Sequence, residues 1–293
     1  MMPRNLLTAL GCLVLGASLS AQHWPAFRGA HAAGVADGTP TAVKWNAATG
    51  ENIAWKTPVS GVAVSSPIVW GDRVFVSTAV SSDPSQGIRT GLYGDVEPVN
   101  DSSKHSWRLM AIDKKSGKVL WDKVAYEGVP KTKRHPKSSQ ASATPVTDGR
   151  HVIVSFGSQG LYAYDLDGKL LWQKDLGVLN SGWFFDPDYE WGLGSSPIIY
   201  KNLVIVQCDI QRNSFLAAFD ADDLRGGRQG GARDAGDHVH ARVRPDDGKG
   251  ALEVLRQLRD RDPYADRRPR RRRHHERIPW RAADFRDQAR GPG

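Results

Sequence analysis

Leu109-Met110-Ala111-Ile112-Asp113-Lys114-Lys115-Ser116-Gly117-Lys118-Val119-Leu120-Trp121 returns further along the chain as Leu161-Tyr162-Ala163-Tyr164-Asp165-Leu166-Asp167-Gly168-Lys169-Leu170-Leu171-Trp172. In both copies an apolar run ends in Asp, passes through a turn closed by Gly, and re-enters an apolar run that ends in Trp. Asp bonds its own backbone two residues on, and Gly supplies the positive φ of a tight turn, so each copy predicts a β-hairpin. Phe215 to Asp223 begins a third copy, and Trp55 closes an earlier partial one. The tryptophans offer large flat apolar surfaces suited to packing one sheet on the next.

A second module alternates with the hairpin. Ser65-Ser66-Pro67-Ile68-Val69 recurs as Ala143-Thr144-Pro145-Val146 and as Ser195-Ser196-Pro197-Ile198-Ile199. Each is followed, after a polar turn, by an apolar strand: Val74 to Val76, His151 to Val154 and Leu203 to Val206. Proline suits the first residue of a strand, where its missing N–H costs no ladder bond. Four short strands per unit, with no helical periodicity between units, predict an all-β fold of propeller blades, with solenoid stacking as the alternative.

These residues also carry a resemblance. The alternation of the Ser-Ser-Pro module with the Asp-Gly-Trp hairpin resembles the PQQ-like β-propeller repeat family, and so do the stretches Arg134 to Gly149 and Trp191 to Ile199. The likeness covers about Trp24 to Asp223. It implies four-stranded blades closing a ring of roughly seven or eight, more than this stretch supplies, so the propeller is expected to be partial.

Bulk composition adds a compartment. An arginine at position 4, an apolar run from Leu6 to Leu19 and the small residues Ser18, Ser20 and Ala21 read as a secretory signal over residues 1–21. It is too short and wrongly flanked to span a membrane, so a periplasmic or extracellular protein is expected. Lipidation at Cys12 is disfavoured because the apolar run continues through Leu13 to Leu15. Removing the signal leaves Cys208 as the single thiol, expected to be buried and inert. The net charge of +8 sits entirely beyond Asp223, where 19 basic residues face 11 acidic ones; upstream, 21 of each sign balance. The propeller stretch is therefore neutral.

The tail, residues 224–293, breaks the pattern abruptly. Arg outnumbers Lys by 18 to 1, and Arg270 to Arg273 runs into His274-His275. The codons for Asp246 to Glu253, read one nucleotide out of frame, permit Thr-Thr-Gly-Lys-Glu-Leu-Trp, the hairpin again. Those for Asp262 to Arg267 permit Ile-Pro-Thr-Pro-Ile, and those for Asp284 to Pro292 permit Ile-Phe-Ala-Ile-Lys-Pro-Gly-Ala. The tail is expected to be an out-of-frame translation and disordered; a genuine solvated basic extension is the alternative. No specific nucleic-acid site is expected, since an arginine run binds polyanions without specificity.

No phosphate loop, His-Glu-x-x-His helix, cysteine-pair zinc spacing or Gly-x-Ser-x-Gly elbow occurs in residues 22–223. Asp165-Leu166-Asp167-Gly168 starts like a calcium loop, but its later ligand positions hold Leu171 and Trp172, so a turn is expected instead. Aromatic residues and three carboxylates share the stretch from Trp183 to Trp191, which is expected on the ligand-binding face of a propeller, where it would serve as a solvated loop capping the core before it served as a site. His105 and His135 are read as surface residues. No catalytic, cofactor-binding or metal-ligating residue is assigned. The family resemblance implies two functions: a non-catalytic binding or scaffold module with an unknown protein or small-molecule ligand, or a quinoprotein dehydrogenase using PQQ with calcium to oxidise an alcohol or sugar. No residue here matches the quinone-binding positions by motif, and the adjacent-cysteine pair of the alcohol dehydrogenases is absent.

Overall fold

The computed structural model describes residues 23–38, 41–85, 87–89, 97–183, 186, 188–211 and 214–223, with the backbone of 228–231. All lie in the unit Met1–Leu252. The expected signal at 1–21 lies outside the described residues, as does the tail apart from 228–231.

Among the described residues there are three four-stranded antiparallel sheets, each built in strict sequence order. The first blade holds β1 (Ile68–Trp70), β2 (Arg73–Ser81), β3 (His105–Asp113) and β4 (Val119–Gly128). The second holds β5 (Val146–Thr147), β6 (His151–Ser155), β7 (Leu161–Asp165) and β8 (Leu170–Lys174). The third holds β9 (Ile198–Tyr200), β10 (Leu203–Cys208), β11 (Phe215–Asp220) and β12 (Arg228–Gly231). This is the blade meander of a β-propeller. The Pro-led modules open each blade, and the Asp-Gly hairpins join the third strand to the fourth. The last strand, β12, lies beyond Asp223, where the repeat pattern ends, and pairs with β11 from Phe215↔Gly231 to Ala218↔Arg228.

Blades pack face to face because alternate residues of a strand point to opposite sides of its sheet. Val152 and Val154 of β6 join Phe75, Trp107, Leu109 and Ala111 of the first blade, while their neighbour Ile153 joins Val204, Val206 and Phe219 of the third. All five residues of β6 are consequently buried. Sequence alternation is lost where a strand is covered on both faces.

Each closing tryptophan clasps the following blade. The indole N–H of Trp55 donates to Lys114 O (2.8 Å), that of Trp121 to Leu166 O (3.0 Å), and that of Trp172 to Ala221 O (2.7 Å). The ring lies over the turn glycine of the blade it reaches. A Cβ on Gly117 would stand 2.6 Å from Trp55, and one on Gly168 2.8 Å from Trp121. The repeated glycines therefore serve both a left-handed turn, at φ 71° and 81°, and a close approach.

A second contact links the blades at their inner strands. Ser66 N donates to Thr144 Oγ1 (3.0 Å), and Thr144 N donates to Ser196 Oγ (2.9 Å). The hydroxyl residue before each repeated proline thus ties one blade to the next, a role the proline-based reading of the module did not foresee.

Candidate functional site

Strand order divides the connections between two faces. The β1–β2 and β3–β4 turns, and their counterparts, are short and lie on one face. The other face receives the long connections: residues 82–104, 129–145 and 175–197, with the shorter 156–160 and 209–214. The aromatic and acidic stretch falls on this loop face, as expected.

That stretch is a small folded hairpin. Gly182 and Glu190 form an isolated bridge, Trp191 N donates to Ser181 O (2.7 Å), and Trp183 N donates to Tyr189 O (3.1 Å). Phe184, Phe185 and Pro187 lie outside the described residues. The Trp183 and Tyr189 rings meet edge to face at 5.7 Å, with Trp183 41% exposed. A hydrogen bond to the Glu97 carboxylate raises the Tyr189 hydroxyl above its ordinary range. Of the three carboxylates, Glu190 is turned inward: it accepts from Lys133 N (3.1 Å) and from Asn180 Nδ2 (3.1 Å). Asp186 accepts from Asp188 N (3.0 Å), holding the turn, and Asp188 is exposed. His135 is half-buried. Its main chain donates to Trp191 O (3.1 Å), and its ring stands edge-on to the indole at 5.2 Å.

His105 is a correction to the surface reading: it is 6% exposed. It opens β3 and packs on Trp107 at 5.3 Å, so the polar loop before it folds inward over the blade. Its Nε2 lies 3.4 Å from Asp101 Oδ2. Burial works to raise the Asp101 pKa, but hydrogen bonds from Ser103 and Ser81 and the nearby His105 outweigh it, and the carboxyl lies below its ordinary value. This cluster is sealed and holds a loop in place.

Beside Trp191 a cleft of about 50 Å³ opens between Thr132, Gln140, Phe156, Ser158 and Gly192. It admits one or two waters, well below the several hundred Å³ of a typical cofactor site. Asp165 caps its own turn, its Oδ1 accepting from Asp167 N and Lys169 N (both 2.9 Å), as the turn reading expected. Cys208 is 1% exposed, and burial pushes its thiol up to about 12.

The turn face carries a constellation that spacing did not reveal. His151 Nδ1 lies 2.9 Å from Asp148 Oδ2, and its Nε2 lies 3.2 Å from Asp222 Oδ1 of the third blade. Arg73 occupies the matching place in the first blade and reaches Leu166 O and Asp167 of the second. A nitrogen-bearing side chain at the start of the second strand thus meets the next blade's turn at both junctions.

The family model that matches is described as outer membrane protein assembly factor BamB, with a PQQ-like repeat, over residues 11–177 and 105–226. No curated protein matches the chain. Among solved structures, a europium-containing methanol dehydrogenase aligns at 13% identity and TM-score 0.36, over 57% of this chain and 24% of its own. The quinohemoprotein alcohol dehydrogenase of Comamonas testosteroni aligns at 14% and 0.34, over 61% and 22%. BamB of Moraxella catarrhalis aligns at 13% and 0.22, over 59% and 62%. The chain spans about a quarter of the length of these dehydrogenases.

Proposed function

The chain belongs to the PQQ-like repeat family described as outer membrane protein assembly factor BamB, and from that membership we propose that it is a non-catalytic binding propeller of the periplasm or extracellular space, presenting its loop face to a protein partner. The supporting observation is the Trp183–Tyr189 pair. It is an aromatic contact left 41% open at Trp183, flanked by the exposed Asp188 carboxylate and held on a hairpin that Glu190 anchors from beneath. Exposed rigid aromatics with charged neighbours are the composition of protein-binding surfaces. The secretory reading of residues 1–21 supplies the compartment.

The quinone alternative fits the loop face poorly. Calcium requires six to eight oxygen ligands. Three of the described loop carboxylates are engaged within the protein: Glu190 with Asn180 and Lys133, Asp101 with Ser81 and Ser103, and Asp186 with its turn. The Trp191 cleft is also far smaller than a tricyclic quinone.

A photo-crosslinking residue placed at Trp183 in the producing cell tests the proposal, with Leu171 on the outer strand β8 as control. One discrete protein adduct from position 183 and none from 171 supports it. Retention of PQQ and calcium by the purified protein through gel filtration, with dye-linked oxidation of alcohols, would overturn it.

A further inference from the structure

His151 opens β6 on the face that packs against the third blade, and it is buried, at 4% exposed. Both of its ring nitrogens face carboxylate oxygen. Nδ1 lies 2.9 Å from Asp148 Oδ2 in its own turn, and Nε2 lies 3.2 Å from Asp222 Oδ1 across the blade junction. A neutral imidazole has one N–H and one lone pair, so it donates to only one of these acceptors, whereas the imidazolium donates to both. With one ring proton the shorter contact, to Asp148, is kept, and a lone pair is turned toward Asp222.

The surrounding groups fix which of them share that proton. Asp148 is held in place as an acceptor, its Oδ1 taking the main-chain N–H of Arg150 (2.8 Å) and of His151 (2.7 Å). Burial works to raise the Asp148 pKa, but hydrogen bonds from the His151 ring, His151 N and Arg150 N outweigh it, and the carboxyl lies below its ordinary value. Asp222 also accepts from Arg150 Nη2 (3.2 Å), a contact between side chains that are both more than half exposed. Asp165, opposite His151 across β6 and β7, uses its Oδ1 to cap its own turn. On the third blade Asp220 accepts from Asn202 Nδ2 and from Asp222 N (both 2.8 Å). Tyr164 lies on the opposite face with Val152, and burial pushes its hydroxyl up to about 12, so it stays neutral.

The repeat places a different side chain at the same point of the preceding junction. Arg73 opens β2 opposite Asp113 as His151 opens β6 opposite Asp165, and its guanidinium reaches Leu166 O and Asp167. Arginine keeps its charge at every physiological pH, whereas histidine is the side chain that changes charge between about pH 5 and 8.

We propose that His151 is a proton-operated latch: gain of a second ring proton joins the second blade to the third through Asp222, and its loss releases that bond. The first junction, held by Arg73, does not respond. The junction so controlled is the one that residues 175–197 cross, the connection that carries Trp183. The sign follows from the bond count: the latch closes as pH falls through the imidazole range. Asp148 keeps its charge below the ordinary carboxylate range, so the ring's anchor persists throughout that interval.

His105 also has two oxygen neighbours, Ser103 O at Nδ1 (3.0 Å) and Asp101 at Nε2 (3.4 Å), but these lie within the first blade and its loop. Overall stability against pH would mix the two histidines, so the test reads one pair. A double-mutant cycle of His151→Asn and Asp222→Asn in the full chain, from urea unfolding at pH 5.5 and pH 8, isolates that pair. A coupling of about fivefold in the unfolding constant is expected at pH 5.5, and of less than about 1.5-fold at pH 8. Arg150 is charged at both pH values, so its contact with Asp222 adds no pH dependence. Histidine NMR gives a reading that leaves His151 itself intact: in Asp222→Asn its ring should take up the proton at lower pH than in the wild type, while the His105 midpoint stays in place. Equal coupling at the two pH values, stronger coupling at pH 8, or an unmoved His151 midpoint in Asp222→Asn would each overturn the proposal.

Discussion

Replacing Gly168 by alanine isolates the contact that joins the blades. Gly168 and Gly177 share the same φ, 81°, so a Cβ at either position carries the same left-handed backbone cost, about 1–2 kcal/mol. They differ in what that Cβ meets: at Gly177 nothing lies within 4 Å, whereas at Gly168 the Trp121 ring stands 2.8 Å away. The ring must withdraw, and with it goes its hydrogen bond to Leu166 O, a loss of about 1 kcal/mol, together with part of its burial against the second blade. Gly168→Ala should therefore cost about 3–4 kcal/mol, and Gly177→Ala about 1–2. Urea unfolding followed by tryptophan fluorescence measures both. If the two variants agree within about 0.5 kcal/mol, the ring does not rest on the glycine, and the clasp is not what fixes the turn sequence.

Thr144→Val removes an acceptor from Ser66 N and should cost about 1–3 kcal/mol by thermal or urea unfolding, while Thr144→Ser keeps the oxygen and should lose less than about half of that. Asp101 lies below its ordinary pKa, so its contribution to stability is complete above the unfolded value near 4 and is lost as pH falls through the folded value. Asp101→Asn should accordingly lower the melting temperature at pH 6 and flatten its decline between pH 4 and pH 2.5; an unchanged acid slope would show that the carboxylate is not held this way. Cys208 should resist iodoacetamide at pH 8 in the native protein and react after denaturation, as burial and its raised pKa require.

The repeat was legible because blade-forming chemistry is local. Asp113 and Gly117, or Asp165 and Gly168, specify a turn from their own side chains and φ values, and the Pro-led modules mark where β1, β5 and β9 begin. Contacts between blades were legible only in part. The tryptophans announced a packing role through size alone, but their N–H acceptors, Lys114, Leu166 and Ala221, are backbone carbonyls and leave no mark in side-chain sequence. His105 was misread for a related reason. A histidine among Asp101, Ser103 and Lys104 looks solvated until the loop folds back and its neighbours bond one another over Trp107. The Asp148–His151–Asp222 set joins residues from two blades and could be found only once the blades were placed side by side.

This division between the faces has a consequence for how the protein changes. The turn face holds the tryptophan clasps, the Arg73–Asp167 pair and the His151 bridge, so substitutions there act on every blade junction and appear as loss of stability. The loop face holds its hairpins by bonds within and between loops, such as Glu190 to Asn180 and Lys133, and leaves Trp183 41% exposed. Trp183 sits on a loop hairpin outside the blade strands, so its substitution should alter binding more than unfolding. Strand order alone produces this separation: a four-stranded meander must send both of its tight turns to one side and its longer crossings to the other. The chemistry that recognises a partner is therefore confined to connections whose lengths, unlike those of the Asp-Gly hairpins, the fold leaves free.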